Sequence, residues 1–274
     1  MGILSGGAPQ YETVWALGAD CGIGDLHAVA EAGFLCDRLG LDTITMGASI
    51  ACAMELTDLG QLHGGPRFGD AAAMLHLVGA TAARRGLGDE LAEGSLRFAT
   101  RNGRPDLAMQ VKGLEFPAFD PRGMTGQGMA FATSNRGACH VRANMLGPEI
   151  IGVPHMIDRF ATHGKAEVLA ELQDLNAALD SLVMCKFTAF VLQRDSFARL
   201  LSAATGEEWS AVDLLRSGER IWTLEKLFNL KAGMGRADDS LPPRLLEQPV
   251  VEGPTRGHAV DLEPMLDEYH AERG

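Results

Sequence analysis

Apolar residues recur along most of this 274-residue chain at helical spacing, while the strict alternation of a half-buried strand is scarce. That periodicity restricts the fold to packed helices more than any other feature does. From Asp25 to Leu39, residues Leu26, Val29, Ala30 and Gly33 fall on one face, with Asp25 placed to cap the start. Thr43 to Leu59 is apolar nearly all round, the pattern of a buried helix. Ala71–Arg85 and Glu90–Arg101 continue the pattern, with Gly86 and Gly88 expected at helix ends. Further helical segments are expected near 128–133, 158–176, 182–203, 208–216, 217–230 and 262–271. Leu241 to Pro254 is expected to be extended or irregular, because paired prolines disfavour helix before them. The reading is all-α, in two helical lobes. Val111 to Gly128, rich in Gly and Pro, is the best boundary, and the lobes are taken as 1–113 and 114–274.

Composition narrows the partners. A net charge of -12 argues against nucleic acid and against an anionic membrane surface. No stretch of about 18 uninterrupted apolar residues is present, and Met1–Gly7 lacks the basic and apolar regions of a signal peptide. A cytoplasmic location is the expectation. The five cysteines, at 21, 36, 52, 139 and 185, are widely spaced and odd in number, which suits reduced thiols. Taken one at a time, each is most simply a small buried apolar residue.

Four segments carry chemistry. Tyr11-Glu12-Thr-Val-Trp places a carboxylate among apolar residues, where a raised pKa would suit proton transfer; a capping or solvated Glu is the plainer reading. Asp37-Arg-Leu-Gly-Leu-Asp42 lies at a helix–helix junction. Gly40 can end one helix and Asp42 cap the next, which explains the segment without a ligand. The functional reading is that the two carboxylates accept hydrogen bonds from the N–H groups of a heterocycle. In Asn135-Arg-Gly-Ala-Cys-His140, the histidine can exchange protons near neutrality, although a lone histidine is more often a hydrogen-bonded core residue. Asp180-Ser-Leu-Val-Met-Cys185 repeats the spacing of Asp37 to Asp42, by chance or as a second grip on a pseudo-symmetric ligand.

Together, and in this order, these segments resemble the aldehyde ferredoxin oxidoreductase family. The likeness runs from about Gln10 to Gly274. It includes Tyr11-Glu-Thr-Val-Trp-Ala-Leu-Gly, Leu39-Gly-Leu-Asp-Thr-Ile, Val111-Lys-Gly-Leu-Glu-Phe-Pro-Ala-Phe-Asp-Pro-Arg-Gly, Ala132-Thr-Ser-Asn-Arg-Gly-Ala-Cys-His and Leu224-Glu-Lys-Leu-Phe-Asn-Leu-Lys-Ala-Gly. The resemblance implies an oxidoreductase that turns aldehydes into carboxylic acids. It implies tungsten or molybdenum held by two pterins, and a [4Fe–4S] cluster that passes electrons to ferredoxin. Asp37 and Asp42 match the family's first pterin-binding segment; Asp180 and Cys185 match the second, with Cys185 as a cluster ligand. Val183 and Met184 replace that segment's Gly-Leu. Glu12 and His140 match the proton-transfer residues, with Tyr11 beside them at the substrate pocket.

Only the family's two helical domains are matched. Its N-terminal β-rich domain, and the Cys-x-x-Cys-x-x-x-Cys run that supplies the other three cluster ligands, have no counterpart, since residues 1–10 contain no cysteine. The expectation is a subunit or fragment that needs a partner domain and does not hold the cofactors alone. A homodimer is also implied by the resemblance. The alternative is a non-catalytic helical interaction protein derived from the same family.

Overall fold

The computed structural model describes residues 8–274; the reading of Met1–Gly7 lies outside the described residues. The described residues are all-α apart from one hairpin of two-residue strands, β1 (Gln110–Val111) and β2 (Leu114–Glu115), with Val111 opposite Leu114. It forms two compact units. One runs to Phe119 and takes in Pro242–Arg244; the other comprises Asp120–Leu241 and Leu245–Gly274.

In the first unit, α1 (Tyr11–Val14) runs into a π-turn (Trp15–Ala19), followed by α2 (Leu26–Leu39), α3 (Thr43–Asp58), α4 (Ala71–Ala82), α5 (Leu87–Leu91) and α6 (Ser95–Arg101). Asp25 caps α2 by accepting from the amides of His27 and Ala28. The α3 helix is buried on most of its circumference, as its all-round apolar sequence requires. Ile50, Met54 and Leu56 on α3, Met74 on α4 and Phe98 on α6 meet in one core. The segment expected to be helical from Glu90 to Arg101 is interrupted at Gly94, whose positive φ starts α6. Gly86 begins α5, but Gly88 does not end a helix. It lies inside α5, where a Cβ would collide with the backbone of Ala80.

The second unit contains α7 (Thr125–Thr133), a π-turn (Gly147–Ile151), α8 (Ala166–Ser181), a 3₁₀ turn (Lys186–Phe190), α9 (Arg194–Thr205), α10 (Ala211–Lys231), α11 (Pro243–Glu247, which begins within the first unit) and α12 (Glu263–Arg273). The second unit departs from the sequence expectation in three places. The segment 182–203 is a turn followed by α9. The segments 208–216 and 217–230 are a single helix, started by the reciprocal capping of Ser210 and Asp213. Pro243 opens α11, since proline at the first helical position loses no intrahelical bond. Gly218 of α10 lies against Asp174 of α8, and a Cβ there would overlap the Asp174 carbonyl. No single helix among the described residues is long and apolar enough to cross a membrane.

Candidate functional site

The two Asp segments have the same backbone form. After Asp37, α2 ends at Gly40 in the left-handed region (φ 71°), and the Leu41 amide closes back onto the Cys36 carbonyl at 2.9 Å. After Asp180, the residue in that position is Val183, also left-handed (φ 55°), and the Met184 amide closes onto the Leu179 carbonyl at 3.3 Å. This is the reverse closure that satisfies carbonyls at a helix C-terminus. Next in each comes an extended residue at the start of a helix: Asp42 (φ -69°, ψ 128°) before α3 and Cys185 (φ -61°, ψ 128°) before the 3₁₀ turn. Valine has thus kept the shape that glycine adopts without strain. Asp37, Asp42, Asp180 and Cys185 are all exposed.

In the first unit the Asp37–Asp42 corner adjoins α1. The hydroxyls of Thr13 and Thr43, each the chain neighbour of a candidate residue, are 2.9 Å apart. Asp42 caps α3 through the Thr45 amide at 2.7 Å, so its capping role holds whatever else it binds. Glu12 is half-buried and accepts from the Ala118 amide at 2.8 Å. Burial pushes its carboxyl above the ordinary range, and the Ala118 N–H pulls it partly back. Tyr11 is 71% exposed, open to any molecule approaching this end of α1. The Val111–Gly123 stretch is explained structurally. Its Glu115 is buried and accepts from the Ser95 amide and hydroxyl and from the Thr45 hydroxyl. Asp20 is a titrating group that sequence reasoning missed. Burial first and the Glu55 charge second raise it to about 6, against the pull of Arg244.

In the second unit, Arg142 joins the His140 loop to the Asp180–Cys185 turn. Its guanidinium donates to Asp180 Oδ2 at 3.0 Å and to Glu225 of α10, and lies over the Trp222 ring, 5.3 Å from its centre. The other Asp180 oxygen pairs with Lys186 Nζ at 2.8 Å. Asn135, Arg136, Arg142, Glu225 and Phe228 line an open pocket of about 480 Å³. His140 is half-buried; burial, then the Arg136 charge, lower its pKa and keep the imidazole neutral over a wider pH range. Arg142 and Glu225 are further residues that sequence reasoning missed, and no short motif announces pairs 38 and 83 residues apart.

The cysteines separate clearly. Cys21, Cys36, Cys52 and Cys139 are buried, and Cys185 is exposed. Burial pushes the thiols of Cys21, Cys36 and Cys52 up to about 12, which makes them inert core residues. Among the described residues, no group of three or more His, Cys, Asp or Glu side chains is placed to hold a metal ion. The exposed thiol of Cys185 suits one ligand of a larger thiolate-bound centre.

The family model for aldehyde ferredoxin oxidoreductase, domains 2 and 3, matches residues 2–274. The tungsten-containing aldehyde ferredoxin oxidoreductase of Pyrococcus furiosus is 48% identical over 97% of this chain, and that of Thermococcus kodakarensis is 46% identical over all of it. The chain spans 46% of the length of each of these relatives. Among solved structures, the active-site complex BamBC of benzoyl coenzyme A reductase, determined with 1,5-dienoyl-CoA, has a TM-score of 0.72 at 18% identity. It covers 97% of this chain and 46% of its own, a likeness of fold alone. The chain therefore belongs to the aldehyde ferredoxin oxidoreductase family, over that family's domains 2 and 3.

Proposed function

We propose that this chain is the helical part of a tungsten-containing oxidoreductase that converts aldehydes to carboxylic acids and passes the electrons to ferredoxin. The observation that carries the reading is 48% identity, over 97% of the chain, to a tungsten-containing aldehyde ferredoxin oxidoreductase. By the resemblance, Asp37, Asp42, Asp180 and Cys185 would each contact a bis-pterin carrying tungsten or molybdenum. Their matching turns offer the same pair of positions twice. Cys185 would be one ligand of a [4Fe–4S] cluster, the other three coming from outside the described residues. Bound metal would supply a Lewis acid and an acceptor for two electrons.

Net oxidation takes an aldehyde and water to a carboxylic acid, two protons and two electrons. His140, held neutral by burial, accepts a proton from the attacking water. Glu12, with its raised pKa, holds or relays the second proton, and the Ala118 amide fixes one of its oxygens. Tyr11, exposed at the start of α1, would line the substrate pocket beside Glu12. Because the His140 pKa lies below the ordinary histidine value, the acid limb of kcat/KM is expected below about 6.5. His140→Ala should remove that limb and most of the rate, about 100-fold or more.

The deciding measurement is tungsten, molybdenum and iron content. It is made on the chain by itself and on its complex with a polypeptide supplying the other half of its relatives' length. Tungsten or molybdenum with about four iron per complex, and loss or alteration of the iron signal in Cys185→Ser, is the expected result. A folded chain and complex that both lack these metals would overturn the enzyme reading and favour a helical interaction protein.

A further inference from the structure

Three segments that look separate in the sequence are joined by one run of alternating charges. Glu225 of α10 accepts from the Arg142 guanidinium; Arg142 donates to Asp180 at 3.0 Å; Asp180 pairs with Lys186 at 2.8 Å, and Lys186 follows Cys185 in the chain. Lys186 is also tied back to α8 through the Asn176 carbonyl, 2.5 Å away. At the other end, Glu225 accepts from Asn135 Nδ2 at 3.3 Å, Asn135 Nδ2 also donates to the Trp222 carbonyl, and Asn229 Nδ2 donates to the Asn135 carbonyl at 2.6 Å. Both ends of the His140 loop are therefore fastened to one face of α10. Arg142 is buried to 8% exposure and stacked on Trp222. A buried guanidinium that loses one of two carboxylates keeps its desolvation cost and shifts toward the one remaining. The turn it grips contains a strained left-handed valine, so its shape depends on what holds it.

We propose that Glu225 is a positioning residue which, through Arg142, sets both the His140 loop and the Asp180–Cys185 turn. It is not a ligand or a proton carrier itself. The roles given to His140 and Cys185 rest on the proposed function; the mechanical coupling does not.

The test is amide hydrogen exchange on the full chain, which needs no bound metal. In Glu225→Gln, exchange should rise roughly tenfold, equal to about 1.4 kcal/mol of easier local opening, in both 136–142 and 181–187. Glu225→Asp should restore much of the protection, and Glu219→Gln on the same helix should leave both segments unchanged. Glu225→Gln exchange equal to wild type in either segment would overturn the proposal, as would an equal rise in Glu219→Gln. If Glu225→Gln fails to fold, Asp180→Asn replaces it, and protection of 136–142 must then fall. In the iron-loaded complex, Glu225→Gln should shift the electron paramagnetic resonance spectrum with iron retained; an unchanged spectrum would overturn its bearing on the site. Lack of iron in the wild type, with the exchange result intact, would remove the cluster assignment and leave the coupling standing.

Discussion

Val183 occupies a position where the backbone asks for glycine. A left-handed conformation costs an L-residue roughly 1–2 kcal/mol, and glycine recovers this less the roughly 0.5–1 kcal/mol of extra freedom it loses on folding. Val183→Gly should therefore raise stability by about 0.5–1 kcal/mol in urea denaturation, with little lost packing because the side chain is 92% exposed. Asp20 makes a prediction with a definite sign. Its carboxyl titrates at about 6 in the folded chain against 3.8 ordinarily, so the folded state binds the proton more tightly. Stability from this group is full below pH 4 and is lost as pH rises through 6. Asp20→Asn should flatten that slope, giving about 3 kcal/mol more stability than wild type at pH 7.5 and little difference at pH 4. Denaturation midpoints across that range would check it. The Gly40 turn was legible in sequence because glycine and a capping aspartate signal locally. The Val183 turn was not, since valine has no left-handed preference; only its spacing to Asp180 and Cys185 marked it.

At the scale of elements, two helix starts in the second unit share a buried ion pair. Glu149 accepts from the amides of Gly126 and Gln127 at the start of α7, and from Lys165 Nζ, the residue before α8, at 2.5 Å. Lys165 also donates to the Thr125 hydroxyl, and both charges are almost wholly buried. Removing one partner leaves the other uncompensated, so Lys165→Met should cost about 3–5 kcal/mol by thermal or chemical unfolding. Gly218 makes a steric prediction instead. Gly218→Ala forces α8 and α10 apart at Asp174, which should cost about 1–3 kcal/mol and lower the denaturation midpoint. Sequence reasoning placed α8 and α10 only in part. It split α10 at residues 216 and 217, although Ser210 and Asp213 gave a sound start signal, because the polar stretch through Arg216, Ser217 and Gly218 weakens the period.

For the whole molecule, the helical character of the chain and several of its helix starts follow from residues within a few positions of one another. Helix periodicity, the caps at Asp25 and Asp42 and the left-handed Gly40 are signalled by near neighbours, and ordered motifs across the length carried the family. These are properties of the chain as written. Pairing of charges is different. Arg142 meets Asp180 and Glu225 only because α8 and α10 pack together, and Glu12 finds the Ala118 amide 106 residues away. Which cysteine is exposed was likewise decided by packing: burial leaves Cys185 alone of the five at the surface. The sequence determined the all-helical class, the caps at Asp25 and Asp42 and, through its ordered motifs, the family, because caps and helical periodicity depend on local backbone hydrogen bonding and apolar spacing. Tertiary structure alone decided the ion pairs, the titration of Asp20 and the accessible thiol, because desolvation and Coulomb energies depend on distances that chain order does not encode.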